Sequence, residues 1–232
     1  MPRSARRSLG GEVYHVLNRA ALRYRIFRTE KDFLAFERLL YEAAGRVPGM
    51  RVLGWCIMPN HWHLILWPRR DGELSRFMSW LTMTHAARYR TSHHNVGYGP
   101  VYQGRFKSFV IERDDHLLVA GRYVERNPLR AKLVERSQDW RWGSLWVRTR
   151  GTPEQKQLLH DWPMDLPRDW TRLVNQPQTT AEEEAMRTNI NRGRPLGNVA
   201  WQQSMARKLG LISCFRKPGR PGTKPQPAGV GR

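Results

Sequence analysis

Arg51-Val-Leu-Gly-Trp-Cys-Ile-Met-Pro-Asn-His-Trp-His-Leu-Ile-Leu-Trp67 is the stretch that decides the fold. After Arg51, residues 52–58 are apolar apart from Gly54, Pro59-Asn60 is a turn pair, and residues 61–67 are apolar again around His61 and His63. The pattern predicts a β-hairpin. Successive side chains of a strand point to opposite faces. His61 and His63 then share one face, while Trp62, Leu64 and Leu66 share the other and can bury against a core. Two imidazoles on one strand face make a natural pair of metal ligands. A pair alone leaves a divalent ion short of donors.

Working outward, Glu12 to Asn18 reads as a first strand. Residues 31–46 read as a helix, with Phe33, Phe36, Leu39, Leu40 and Ala43 at helical spacing behind Thr29 as a cap. Glu73 to about Arg90 is amphipathic, residues 91–104 suit a loop, and Arg105 to Ile111 alternates as a strand. Asp114 to about Asn127 is a further helix, capped by its leading aspartates. The order β-α-β-β-α-β plus one helix predicts an α+β, ferredoxin-like antiparallel sheet with an additional helix that carries the candidate chemistry. Helices are expected on one sheet face, with the other left free for a ligand. Four segments are expected. They are a basic arm over 1–10, the main domain over 11–149, a mostly helical or irregular C-terminal extension over 150–215, and a disordered basic tail over 216–232.

Composition narrows the partner class. The 232 residues hold 40 Lys+Arg against 20 Asp+Glu, a formal charge of +20. Such an excess costs self-repulsion unless a polyanion is bound, so nucleic acid is the expected partner. The basic residues are dispersed, which argues against a membrane surface. Cys56 and Cys214 are the two cysteines, excluding a disulfide framework and a cysteine zinc site. No apolar run is long enough to span a bilayer, and a cytoplasmic protein is expected.

A third ligand is sought in Gly121-Arg-Tyr-Val-Glu-Arg-Asn127, where Tyr123 and Asn127 are four apart and share a helix face. Tyr123 beside a metal-bound phosphate suggests covalent catalysis. The phenolate attacks phosphorus, giving a 5′-phosphotyrosine and a free 3′-OH, and another 3′-OH can reverse the step without ATP. Arg122, Arg126 and Arg130 add charge nearby. Blander readings stand beside these: Asn127 before Pro128 can simply cap a turn, and Tyr123 can simply pack. His85 and Tyr89, also four apart, form a rival pair that spacing alone leaves open.

Three motifs in order carry a resemblance: Met58 to Pro68, then Val101-Tyr-Gln-Gly-Arg-Phe-Lys-Ser108, then Tyr123-Val-Glu-Arg-Asn-Pro-Leu-Arg-Ala131. They resemble the REP-associated tyrosine transposases, relatives of the single-stranded-DNA insertion-sequence transposases with an HUH motif. The resemblance spans roughly residues 10–147 and continues in Arg192-Gly-Arg-Pro-Leu-Gly197. It implies His61 and His63 as HUH ligands, Asn127 as third ligand, Tyr123 as nucleophile, and Mg²⁺ or Mn²⁺ as the ion. It also implies a palindromic hairpin with a single-stranded foot as substrate. The middle HUH residue is usually smaller than Trp62, which is tolerable if that side chain faces the core.

For DNA contact, Gln103, Arg105 and Lys107 form a row that could track a phosphate backbone, with Arg19 beside them. Arg69, Arg70 and Arg88 are weaker candidates. Arg192 and Arg194 lie in the extension, where Gly193-Arg-Pro195 and Gly219-Arg-Pro221 suggest minor-groove arms. The helix near 200–210 could be half of a helix-turn-helix. Most tryptophans of the later half read as packing anchors. Two other classes remain at this point: a catalytically silent hairpin-binding protein, and an RNA-processing protein on the same sheet. Monomer and dimer are both open.

Overall fold

The computed structural model describes residues 8–97 and 99–216. Most of the expected basic arm and tail, including Gly219-Arg-Pro221, lies outside the described residues. The strands are β1 (Val13–Arg19), β2 (Met50–Met58), β3 (His61–Pro68) and β4 (Lys107–Ile111). They form one antiparallel sheet in the order β2-β3-β1-β4. The helices α1 (Glu30–Arg46) and α2 (Glu73–Ser92) follow β1 and β3, and α3 (Asp115–Glu125) follows β4. This is the expected α+β arrangement. Short α4 (Asn127–Arg130), α5 (Ser144–Arg150), α6 (Pro153–Lys156) and α7 (Trp170–Asn175) precede the longer α8 (Thr180–Arg192) and α9 (Val199–Leu209).

Met58 pairs with His61, so Pro59-Asn60 is the whole hairpin loop. The Pro59 carbonyl accepts from both Ile26 and Phe27, tying the turn to the segment after β1. On one sheet face Trp62, Leu64 and Leu66 meet Phe33, Phe36 and Leu40 of α1 and Phe77 and Leu81 of α2. The Trp62 indole N–H donates to Tyr102 Oη at 3.0 Å, and Tyr102 Oη is hydrogen-bonded to His85 Nδ1 at 2.6 Å. A bulky middle residue thus finds both a core and a partner for its N–H.

Burial lowers the pKa of His85 to about 3. In the unfolded chain it protonates near 6.5, so between those values the unfolded state binds the extra proton. Its stability contribution is complete above pH 6.5 and declines as pH falls toward 3. The slope of unfolding free energy against pH, measured by urea titration between pH 6 and 4, should fall by about 1.4 kcal/mol per pH unit in His85→Gln. An unchanged slope would show that His85 is not held neutral.

The second sheet face departs from expectation: it is covered, not free. Val13, Leu53, Cys56, Ile65, Phe109 and Ile111 on that face pack against Leu117, Ala120 and Val124 of α3. Trp162, Trp170, Val174, Met186 and Leu196 of the extension join the same cluster. Apolar residues on both faces of these strands demand cover on both sides. The extension also lies along the edge of β4: Leu196 bridges Ile111 in parallel, donating to Val110 O and accepting from Glu112 N. That pairing protects an otherwise open strand edge.

Two local boundaries also differ. Gln103 donates to Arg19 O and Lys107 pairs with Leu17, so residues 104–106 loop out between the two pairings. Arg105 therefore sits in a bend and β4 begins at Lys107. The helix expected through Asn127 ends at Glu125. Pro128 has no N–H to continue the ladder, and a separate turn, α4, starts at Asn127.

Candidate active site and nucleic-acid face

Strand register builds the site. On β1 and β3, Arg19 stands opposite His61, Leu17 opposite His63, and His15 opposite Ile65. All of these face the side that α3 covers. The His61 and His63 rings lie 4.9 Å apart, and Tyr123 meets the His63 ring edge-on at 5.9 Å between centroids. Asn127 is buried beside His61, and its Nδ2 makes no well-directed hydrogen bond. The Arg130 guanidinium lies 4.2 Å above the Tyr123 ring and donates to Asn127 Oδ1 at 3.3 Å. Tyr123, His61, His63, Asn127 and Arg130 thus meet at one end of the sheet.

Electrostatics keep both imidazoles uncharged. Burial, then the positive charges of Arg19 and Arg130, lowers His61 to about 4. His63 lies well below its ordinary value, first through burial and then through neighbouring His61, His15 and the same arginines. Neutral imidazole is the metal-binding form.

Two residues of this site escaped the sequence reading. His15 is fully buried, with Nε2 2.8 Å from His63 Nδ1. Asn60 Oδ1 lies 2.6 Å from His61 Nδ1, while Asn60 Nδ2 donates to Arg23 O at 3.3 Å. His15 alternates in phase with Leu17 and Arg19 on β1, which was the signal available. Asn60 looked like turn chemistry alone.

The rival pair falls elsewhere. His85 belongs to the Tyr102 network and packs, with Tyr89, in the core under α1 and α2. That is the opposite sheet face from His61 and His63.

The basic candidates divide by what their side chains touch. Arg19, Gln103, Arg105 and Lys107 line a groove of about 470 Å³ with Leu17, Asn18 and, from α8, Ile190 and Asn191. Lys107, Leu17 and His63 form one row across three strands, so Leu17 and Arg19 bring the groove within one strand spacing of the histidines, roughly 5 Å, and Lys107 stands two spacings away. Arg122 instead donates to Leu173 O and Glu182, and Arg126 donates to Val174 O and Asn175 O. Both tie α3 to the extension. Arg88 is bidentate on Glu42, and Arg69 and Arg70 lie just past the far end of β3. Arg192 is exposed, with one nitrogen on Arg216 O. Arg194 is held by Gln202 and lies over Phe215.

A cluster of Glu112, Asp114 and His116 lies elsewhere. Glu112 takes both Asn198 N and Nδ2, and Asp114 accepts from His116 N and faces its Nδ1, so Glu112 holds the cap residue of α9 and Asp114 caps α3. Among the described residues no helix is long and apolar enough to cross a membrane.

Residues 11–127, just over half of the chain, match the family model described as IS200-like transposase. No curated relative matches the sequence. A solved REP-associated tyrosine transposase bound to a REP hairpin is 18% identical with a TM-score of 0.48, covering 65% of this chain and 87% of the other. A candidate transposase from Deinococcus radiodurans R1 is 13% identical with a TM-score of 0.36, covering 51% and 92%. Neither likeness is close enough to bear on function.

Proposed function

This chain belongs to the IS200-like transposase family, and we propose that it is a single-strand DNA endonuclease and strand transferase acting through Tyr123. The observation that carries the reading is the meeting of Tyr123 with His63, beside Asn127 and under Arg130. A phenol, two uncharged imidazoles, an amide and a guanidinium at one point are the parts that phosphoryl transfer to tyrosine needs.

In the proposed step Tyr123 Oη gives up its proton and bonds to phosphorus. The bond from phosphorus to O3′ breaks, and the leaving oxygen takes up a proton. The 5′ end stays on the protein as a phosphotyrosine, and attack by a second 3′-OH returns the chain to its free state. Arg130 is positioned to neutralise phosphate charge, and Arg19 supplies a second cation opposite His61.

His61, His63 and Asn127 fit a divalent ion. Their donors are two neutral imidazoles and the amide oxygen Asn127 Oδ1, which keeps a second lone pair beside the one that Arg130 uses. Mg²⁺ or Mn²⁺ bound there would supply Lewis-acid stabilisation of the phosphate charge. Arg19, Gln103, Arg105 and Lys107 are proposed to lead the single strand along the groove, with exposed Arg192 beside Asn191 at its wall. Arg122 and Arg126 are left out of the DNA set, because their guanidinium groups hold the extension. Arg194 acts through its hold on α9. A palindromic hairpin as substrate rests on the family resemblance that the three sequence motifs carry.

The test is a labelled hairpin oligonucleotide with a single-stranded foot. A detergent-resistant protein–DNA adduct should form with Mg²⁺ or Mn²⁺ and should not form when a chelator is present from the start. Tight, salt-sensitive binding with no adduct at any metal concentration would leave a hairpin-binding protein and overturn the catalytic reading.

A further inference from the structure

We infer that His15 decides which nitrogen of His63 is open to a metal ion, and so acts as a positioning residue of the metal site. The inference rests on the reading above that His61 and His63 are ligands. A neutral imidazole carries one hydrogen on two nitrogens, and a metal needs the bare one. His63 spends Nδ1 on His15 Nε2, 2.8 Å away. His61 spends Nδ1 on Asn60 Oδ1 at 2.6 Å. Both rings therefore have Nε2 left to face an ion.

The two partners are not equivalent. Asn60 Nδ2 points to the Arg23 carbonyl, so Oδ1 is the atom turned to His61, and an amide oxygen can only accept. His61 is thereby held with its hydrogen on Nδ1 and a bare Nε2. His15 can give or take. If it donates, the His63 hydrogen sits on Nε2 and excludes an ion. If it accepts, His63 carries its hydrogen on Nδ1 and Nε2 is bare, but the hydrogen of His15 must then sit on its own Nδ1. That atom is buried and has no partner. A buried N–H without an acceptor is worse tolerated than a buried lone pair. The metal-free pair therefore rests with His15 donating.

For His63 to offer a bare Nε2, the pair would reverse. The hydrogen of His15 Nε2 would pass to His63 Nδ1, one proton would leave His63 Nε2, and one would be taken up at His15 Nδ1. Both rings stay neutral and the proton count is unchanged. Asn60 presets one ligand, whereas His15 makes the other conditional. His15 also touches the Tyr123 ring edge-on, at 6.2 Å between centroids, so the same pair borders the proposed nucleophile.

Mn²⁺ affinity, read from the free-ion paramagnetic resonance signal and by calorimetry, tests this without any DNA. His15→Gln, whose amide oxygen can accept the His63 Nδ1 hydrogen without leaving another on a buried, partnerless nitrogen, should bind Mn²⁺ more tightly than the native chain and about 10–100-fold more tightly than His15→Phe, which leaves that hydrogen without an acceptor. In protein labelled with ¹⁵N-histidine, His63 should carry its hydrogen on Nε2 without metal and on Nδ1 with Mg²⁺. Equal affinity in His15→Gln and His15→Phe, or a His63 tautomer that Mg²⁺ leaves unchanged, overturns the inference. Should His15→Phe fail to fold, the tautomer spectra of the native chain decide. Undiminished affinity in His61→Ala is a different failure, because it removes the metal pair on which the proposed function stands.

Discussion

Tyr123→Phe is expected to abolish the covalent DNA adduct while leaving hairpin affinity within a few-fold of the native value. The change removes one oxygen and keeps the ring. That ring is what packs edge-on against His63 and His15 and lies under Arg130. Because Tyr123 is almost fully buried, the retained aromatic volume should hold α3 in place. Cleavage should fall by on the order of 10⁴-fold or more, as for removal of a nucleophile. Denaturing gels of end-labelled hairpin, with mass spectrometry for phosphotyrosine, read the result. An adduct surviving in the variant would move the nucleophile away from residue 123.

Glu125→Ala should lower stability by about 3–5 kcal/mol, the range for removing one partner of a buried charged network. For a chain of this size the melting temperature should fall by roughly 6–20 °C. The reason lies in β2. Its pairing with β3 shifts register between Val52 and Gly54, a bulge that frees backbone groups from the ladder. Ser144 Oγ takes the Trp55 N–H at 3.0 Å, and Trp162 and Arg148 donate to the Leu53 carbonyl. Glu125, the last residue of α3, accepts from Ser144 at 2.6 Å, from Trp170 at 2.7 Å and from Arg148.

One carboxylate therefore clamps the helix bearing Tyr123 to the bulge and to the extension. Gly121 completes the close approach, since a Cβ there would sit 2.3 Å from the Trp162 ring. Glu125→Gln keeps an acceptor and should cost less. A thermal melt of Glu125→Ala within about 2 °C of the native chain would mean that α3 is held by its apolar contacts alone.

The hairpin, the strand order and the helices under the first sheet face were legible because their signals are local. Pro59-Asn60 is turn chemistry, and Trp62, Leu64 and Leu66 against His61 and His63 is period two. Tyr123 and Asn127 are candidates by a spacing of four that His85 and Tyr89 share, and only the fold puts Tyr123 beside His63 and the other pair on the opposite sheet face. The covered second face was missed because Val13, Ile65 and Phe109 occupy three separate strands. Their common demand for cover appears only when register aligns them. The bulge hid in the same way: Leu53 and Cys56 share one face while Val52, Trp55 and Ile57 share the other, a phase change that no alternation rule predicts. Arg122 and Arg126 look in the sequence like charge for phosphate, and only the fold turns them onto the carbonyls of the extension.

Residue order was thus enough to choose the hairpin, its paired histidines and the family, since each depends on neighbours a few positions apart. Which groups complete the site depended on tertiary packing. His15 and His63 are 48 residues apart and meet across paired strands, Glu125 reaches Trp170, and Arg130 folds back over Tyr123. Hydrogen-bond direction and burial are properties of such meetings, and no local pattern of residue types encodes them.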